Sequence, residues 1–255
     1  LGANVRISDN FSRFGHPNLP DHFRNAEVLN HNLADPAQCA EACHGIDTVL
    51  HMASRVGPSS YYVQHPYEVL SVNIKIDSNI LQASVDAGVK SYFYPSSVFV
   101  YPARRQTNPN SPPLREEEAT PAEPPVSYGW AKIIGEKLVQ SAVDEVTGFR
   151  AAIGRLIGVY GPGQDTDPNR ASIIPALTRR AVEHPTGGPF SIHGRGLETR
   201  SYCYISDVVD AIIASVEKLN DAPLLGPVNL GNEGRITIGD LAKQIIAVSG
   251  KEIQL

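Results

Sequence analysis

At 255 residues, the chain is longer than one typical domain and short for two independent ones, which points to one large α/β domain or a domain with an attached lobe. Hydrophobic residues make up 42% and charged residues 19%, and Gly, Pro or charge interrupts every apolar stretch well before the roughly 20 residues a bilayer span requires, so no membrane segment is expected. Lys and Arg number 22 against 27 Asp and Glu, a formal net charge of −5, with no basic stretch to release phosphate counterions, which argues against a nucleic-acid partner. Cys39, Cys43 and Cys203 are an odd, sparse set that suits a reducing compartment, the cytoplasm by default.

The first four residues read as the last turn of a helix with a glycine stop at Gly2, followed by a strand at Val5–Ser8. A strand is expected near Ala26–Leu29, a short helix at Pro36–Cys43, and a β-branched strand at Ile46–Leu50. A long helix follows from Pro66 to Ala87, closed by Gly88, and then a strand at Lys90–Tyr94. Strands alternating with helices imply a doubly wound parallel sheet, whose ligands bind beyond the carboxyl ends of the strands. Between Tyr101 and Val126 lie seven prolines and the acidic run Glu116–Glu118, too long for an ordinary connection and therefore a binding loop or a mobile one, the acidic run reading as solvated charge. A helix from Ser127 to Val146 and a strand at Arg150–Ile157 resume the rhythm, and from Gly161 onward shorter elements suggest a smaller lobe. The expected division is a nucleotide-binding domain over 1–160, joined by parts of 200–220, and a substrate lobe over 161–199 and 221–255. Lys251–Leu255 reads as a strand without a following cap.

The most informative constellation is Ser97, Tyr128 and Lys132. Tyr128 and Lys132 lie four residues apart on one helical face, so a phenol and an ammonium can share one site. A phenol with a pKa near 10 is a poor base at neutral pH, and a nearby ammonium is expected to bring it toward working range. The strand ending Tyr94-Pro95-Ser96-Ser97 delivers a hydroxyl to the ligand side of the sheet. Asp9, at the end of the second expected strand of a nucleotide-binding fold, is placed to accept both ribose hydroxyls of an adenosine and to repel a 2′-phosphate, although Arg13 nearby offers such a phosphate a partner.

Val5–Asn10, Asp47–Ala53, Ser96–Tyr101, Tyr128–Lys132, Gly154–Pro162 and Arg200–Asp207 together resemble motifs of the extended short-chain dehydrogenase/reductase family, specifically its nucleotide-sugar epimerases and dehydratases. The resemblance runs through nearly the whole chain. It implies a Rossmann-type fold with a smaller C-terminal substrate lobe, NAD as cofactor, a nucleotide-diphosphate sugar as substrate, and a homodimer. It further implies that Tyr128 is the acid/base, that Lys132 holds the nicotinamide ribose and lowers the tyrosine pKa, and that Ser97 hydrogen-bonds the reacting sugar hydroxyl. Asp9, Asn10, Met52, Ala53 and Asn73 fall at cofactor positions. Asn32-Leu33 resembles the family's Asp-hydrophobic pair against adenine, with an amide in place of the carboxylate. Arg200 resembles the arginine that grips the nucleotide diphosphate.

The departures refine this reading. No Gly-rich phosphate loop occurs, and the opening residues read as the end of the helix that would follow it, so roughly 25 to 30 further N-terminal residues carrying a strand and that loop are expected. Ser97 is followed by Val98 and Phe99 instead of the acidic pair of the dehydratases, which disfavours water loss. Thr120–Pro124 and Gly194–Ser201 look most like the GDP-mannose 3,5-epimerase branch, yet Phe99 and Ser172 stand where that branch keeps a cysteine and a lysine. Neither side chain exchanges a carbon-bound proton. Gly158 replaces the asparagine expected before Val159 and removes a sugar contact. Cys39, Cys43 and His44 have helical spacing but read as a packed helix face, so no metal is expected. The expectation is an NAD-dependent epimerase of a nucleotide-diphosphate sugar, acting at carbon 4 through a transient keto-sugar. The alternatives are a 3,5-epimerase, a sugar-nucleotide dehydratase, reductase or decarboxylase, and a non-catalytic NAD-binding scaffold, which has no need of an activated phenol.

Overall fold

A computed structural model describes residues 2–13, 25–106, 111–167, 170–185, 187–192 and 194–255. Strand β1 (Arg6–Asp9) pairs in parallel with β2 (Glu27–Asn30). A four-stranded parallel sheet follows in the order β3 (Thr48–Leu50), β4 (Ser91–Ser97), β5 (Arg150–Leu156) and β9 (Leu224–Leu230). The helices between them are α1 (Pro36–Cys43), the short α2 (Ser59–Gln64), α3 (Pro66–Asp86), α4 (Ala103–Gln106) and α5 (Ser127–Glu145). Beyond β5 come β6 (Val159–Tyr160), α6 (Ile173–Glu183), β7 (Thr199–Arg200), β8 (Cys203–Tyr204), α7 (Ile205–Glu217), β10 (Ile236–Thr237) and α8 (Ile238–Ser249).

Strands β4 and β5 are buried along nearly their whole length, as strands covered on both faces must be. Their period of two sorts the core. Tyr92, Tyr94, Ala151 and Ile153 face Cys39, Cys43, Ile76, Ile80 and Val139 from α1, α3 and α5. Phe93 and Ala152 face Val208 and Ile212 from α7. Cys39 and Cys43 are thus core side chains of α1, and burial pushes both thiols up in pKa. A separate apolar cluster joins Leu177 and Ala181 of α6 to Leu241, Ala242 and Ile246 of α8.

Local chemistry explains the ends. Pro36 and Pro66 open α1 and α3, where the missing N–H is not needed. Asp35 caps α1 by accepting from Ala37 N at 2.9 Å. Gly88 and Gly250 follow α3 and α8 at φ +74° and +69°, the left-handed backbone in which glycine is unstrained.

Three expectations are corrected. The strand given the bounds Lys90–Tyr94 runs from Ser91 to Ser97, its Pro95–Ser97 end in register with Gly154–Leu156 of β5. Lys251–Leu255 forms no strand beyond one bridge between Gln254 and Pro189. Leu224–Leu230, expected in the lobe, pairs in parallel with β5 as β9 of the four-stranded sheet. The opening helix turn rests on residue 1, which lies outside the described residues.

Candidate active site

Tyr128 and Lys132 enter the site from the first turns of α5, and Ser97 from the carboxyl end of β4. Tyr128 is buried, its ring stacked on Tyr62 of α2 with centroids 4.9 Å apart and planes 6° apart. Phe99 meets it edge-on at 6.0 Å. Ser54 lies beside the Tyr128 hydroxyl, and its Oγ donates to Asn73 Oδ1 at 2.8 Å. Ser97 Oγ accepts from Phe99 N at 3.3 Å and caps the 3₁₀ turn Val98–Val100.

Lys132 Nζ lies 5.7 Å from the Tyr128 ring centroid, 4.8 Å from that of Tyr94, and 3.9 Å from Asp77 Oδ2. It is fully buried and has no hydrogen-bond partner among the described residues. Burial pulls its pKa below the usual lysine range, while Asp77 and Glu136 oppose the fall. Burial pushes Tyr128 up to about 12; the neighbouring Ser54 hydroxyl opposes this and the Asp77 charge adds to it. The expectation that Lys132 lowers the tyrosine pKa is therefore corrected. The ammonium is balanced by the Asp77 carboxylate, and desolvation dominates the phenol.

Beneath these residues lies a buried polar layer. Asp77 accepts from His51 Nε2 at 2.8 Å and from Tyr94 Oη at 2.7 Å. Glu136 accepts twice from Arg155, both at 2.8 Å, and also from Ser96 Oγ. Arg155 Nη1 donates further to Tyr101 Oη at 3.1 Å and to the Glu116 carbonyl at 2.7 Å. In the acidic run expected to be solvated, Glu117 is exposed while Glu116 and Glu118 are engaged. Glu116 Oε1 accepts from Asn229 N at 2.9 Å, and Glu118 takes two donors from Arg105 at 2.7 and 3.0 Å.

The expected cofactor residues divide by environment. Asp9 and Asn10 are exposed at the carboxyl end of β1, where Asp9 Oδ1 accepts from Phe11 N at 2.7 Å. Asn32 is exposed and accepts from Ala34 N at 3.1 Å. Met52 is exposed and Ala53 half-buried in the segment after β3. Leu33 and Asn73 are instead turned inward. Leu33 packs into the core against α1 and α3, and its carbonyl accepts from Cys39 Sγ at 3.2 Å and Asn79 Nδ2 at 3.4 Å. Asn73 is fully buried, and its amide is spent on the loop: Oδ1 accepts from Ser54 Oγ and Arg55 N, and Nδ2 donates to the Arg55 and Val69 carbonyls. It shapes the 54–55 turn. The residues suit a dinucleotide: an exposed carboxylate ends β1, and Lys132 holds three N–H donors that no acceptor among the described residues takes.

A cleft of about 1390 Å³ opens beside the stacked tyrosines, lined among others by Tyr62, Phe99, Gly158, Ser172, Arg200 and Ser201. Gly158 sits at φ +58°, and a β-carbon there would lie 2.1 Å from the Ser201 carbonyl oxygen. Only glycine allows the two segments to approach this closely. Arg200 is exposed, with Nη1 donating to the Thr199 carbonyl at 2.8 Å. Sequence reasoning missed Tyr62 and Ser54. Tyr62 carried one signal, an aromatic pair with Tyr61 just before the Pro66 helix start; Ser54 carried none.

Among solved structures, the chain is similar to a UDP-glucose 4-epimerase from Thermotoga maritima with UDP-glucose, at TM-score 0.81 and 25% identity, covering 98% of this chain and 76% of that one. It is equally similar to a UDP-N-acetylglucosamine 4-epimerase from Methanobrevibacter ruminantium in complex with UDP-N-acetylmuramic acid, at TM-score 0.82, 25% identity, and the same 98% and 76% coverage. A GDP-mannose 3,5-epimerase from Arabidopsis thaliana is 27% identical over 217 residues, 85% of this chain and 56% of that protein. The chain spans about half the length of this and the other GDP-mannose 3,5-epimerases it matches. These likenesses agree with the parallel sheet, the helical Tyr-Lys pair and the cleft, and the family profile itself matches residues 1–231: the chain belongs to the NAD dependent epimerase/dehydratase family.

Proposed function

We propose that the protein is an NAD-dependent epimerase of a nucleotide-diphosphate sugar, acting at carbon 4 through a transient keto-sugar. One observation carries the position: the group packed edge-on against Tyr128 is the phenyl ring of Phe99, and Ser172 lines the same cleft. Inverting carbon 3 or 5 beside a carbonyl passes through an enolate and needs an acid and a base on opposite faces. Neither side chain supplies one, whereas inversion at carbon 4 needs only the group that moves the hydroxyl proton.

In this reading Tyr128 takes the proton of the sugar 4-hydroxyl and returns it after the keto-sugar has turned over in the cleft. Ser97 holds that hydroxyl, Arg200 binds the diphosphate, and the Gly158 and Phe99 surfaces seat the sugar. Lys132 holds the nicotinamide ribose, and Asp9, Asn10, Asn32, Met52 and Ala53 face the rest of the dinucleotide. NAD, when bound, supplies the hydride acceptor and a cationic ring whose charge favours a phenolate. The cofactor domain then comprises residues up to 160 with 200–230, and the α6–α8 cluster forms the substrate lobe. A homodimer belongs to the same reading, supported by exposed Val63, Tyr67 and Trp130 at the α2–α3–α5 junction, as does a cytoplasmic location, supported by three unpaired, buried cysteines.

The test is turnover of UDP- and GDP-sugars by the intact protein in deuterated water. The expected product carries no carbon-bound deuterium, and Tyr128→Phe reduces turnover about a hundredfold or more while NAD still binds. Deuterium at carbon 3 or 5 overturns the position of epimerisation; activity of Tyr128→Phe within a few-fold of wild type overturns the role of the phenol.

A further inference from the structure

Asp77 is a fully buried carboxylate that the reaction scheme leaves unused. It sits in the middle of α3, one turn beyond Asn73, and only 3% of its surface reaches solvent. Both oxygens are clamped, Oδ1 by His51 Nε2 at 2.8 Å and Oδ2 by Tyr94 Oη at 2.7 Å. The Lys132 ammonium lies 3.9 Å from Oδ2, too far for a hydrogen bond and close enough for a strong charge interaction.

The groups facing Lys132 Nζ come from three elements: Asp77 from α3, Tyr94 from β4, and Glu136 and Tyr128 from α5. Glu136 is already neutralised by the two-point contact with Arg155 of β5. Asp77 is therefore the counter-charge left for Lys132. A buried lysine without one loses its proton, and a neutral amine has one donor fewer and no charge to offer a ligand.

We propose that Asp77 is a positioning residue: clamped by His51 and Tyr94, its carboxylate keeps Lys132 an ammonium beside Tyr128, at a distance that leaves all three N–H donors for a ligand diol. The diol part rests on the reading of Lys132 as the ribose-holding residue; the charge coupling does not. Asp77→Asn separates charge from shape, because the amide oxygen still accepts from Tyr94 while the amide N–H faces His51.

The test is a pH titration of Lys132 in the intact, cofactor-free protein carrying ¹³Cε-labelled lysine, its signal assigned by its loss in Lys132→Arg. In Asp77→Asn the midpoint falls by about 1 to 3 pH units, the range one opposite charge produces, whereas Asp77→Glu restores it. NAD affinity in Asp77→Asn should match wild type at pH 6 and fall at least tenfold as pH rises through the new midpoint; a merely structural role lowers affinity equally at every pH. An unchanged midpoint overturns the proposal. Should Asp77→Asn fail to fold, the wild-type titration decides: a Lys132 already neutral at pH 7 overturns the coupling, and one still charged at pH 8 supports it. If Lys132→Met leaves NAD affinity intact, the cofactor role of Lys132 falls, and the coupling stands or falls on the titration alone.

Discussion

Replacing Glu136 with alanine removes the acceptor of three hydrogen bonds, two from Arg155 and one from Ser96. It leaves the Arg155 guanidinium buried, with 5% of its side chain exposed, beside only the neutral Tyr101 hydroxyl and the Glu116 carbonyl. Breaking a buried ion pair by removing one partner costs about 3–5 kcal/mol, because the remaining charge is uncompensated. Set against a total stability of about 5–15 kcal/mol, that is a large fraction. At about 2–4 °C per kcal/mol for a chain of this size, the melting temperature should fall by about 6–20 °C.

Urea denaturation followed by circular dichroism gives the same quantity from the midpoint at constant slope. The control is the double variant Glu136→Met with Arg155→Met, which removes both charges and fills their volume. It should recover most of the loss, since an apolar pair of similar size replaces a buried ion pair at little or no cost. A loss below about 1 kcal/mol for Glu136→Ala refutes the reasoning, as it would mean that water reaches Arg155. A double variant no better than the single one refutes it differently, by showing that lost packing and not lost charge is responsible.

Burial holds Tyr128 at a pKa of about 12 against an ordinary value of 10.0, so its contribution is fully present below pH 10 and is lost as pH rises through 12. Two pH units correspond to about 3 kcal/mol, and wild type should therefore lose more stability between pH 10 and 12 than Tyr128→Phe; equal losses would contradict the burial. Gly135→Ala gains about 1 kcal/mol of helix propensity, but the new β-carbon lies 1.9 Å from Tyr94 Oη and 2.3 Å from its ring. Overpacking should win by about 1–3 kcal/mol in denaturant titration, and a stabilised variant would show that α5 yields freely. Gly158→Ala combines left-handed strain with a 2.1 Å approach to Ser201 O and should lower the melting temperature measurably; no change would mean that the 158 and 201 segments are free to separate.

Much of the fold was legible because local rules and the global arrangement agree. Proline at the start and glycine beyond the end mark α1 and α3, and the alternation Tyr92, Phe93, Tyr94 sorts itself onto two faces of the sheet. The i,i+4 spacing of Tyr128 and Lys132 needed only helical geometry. What escaped depends on contacts between distant segments. Nothing local says that Tyr62, 66 residues before Tyr128, would stack on it. Asn73 carries a family position, but only the path of residues 54–55 reveals that its amide is consumed by backbone. Gly226-Pro227 inside β9 reads as a loop, because a strand that tolerates this pair is recognised only through its partner β5.

The same helix that presents Tyr128 also carries Lys132 and Glu136, at steps of four residues along one face. Toward the sheet and α3 this face meets Asp77 on one side and Arg155 on the other, giving a buried row of formal charges that alternates minus, plus, minus, plus. The row sums to zero, which is how four ionised groups persist in an interior where one alone would shift its pKa and neutralise. Its members cannot be read as independent sites. Removing Asp77 leaves Lys132 without a counter-charge, and removing Glu136 leaves Arg155 without one, so effects at these four positions should deviate from additivity. The phenol at the head of the helix is therefore held by more than packing. Its neighbour Lys132 has Asp77 and Glu136 holding its charge against burial, and substitutions at either position should change how Lys132 titrates.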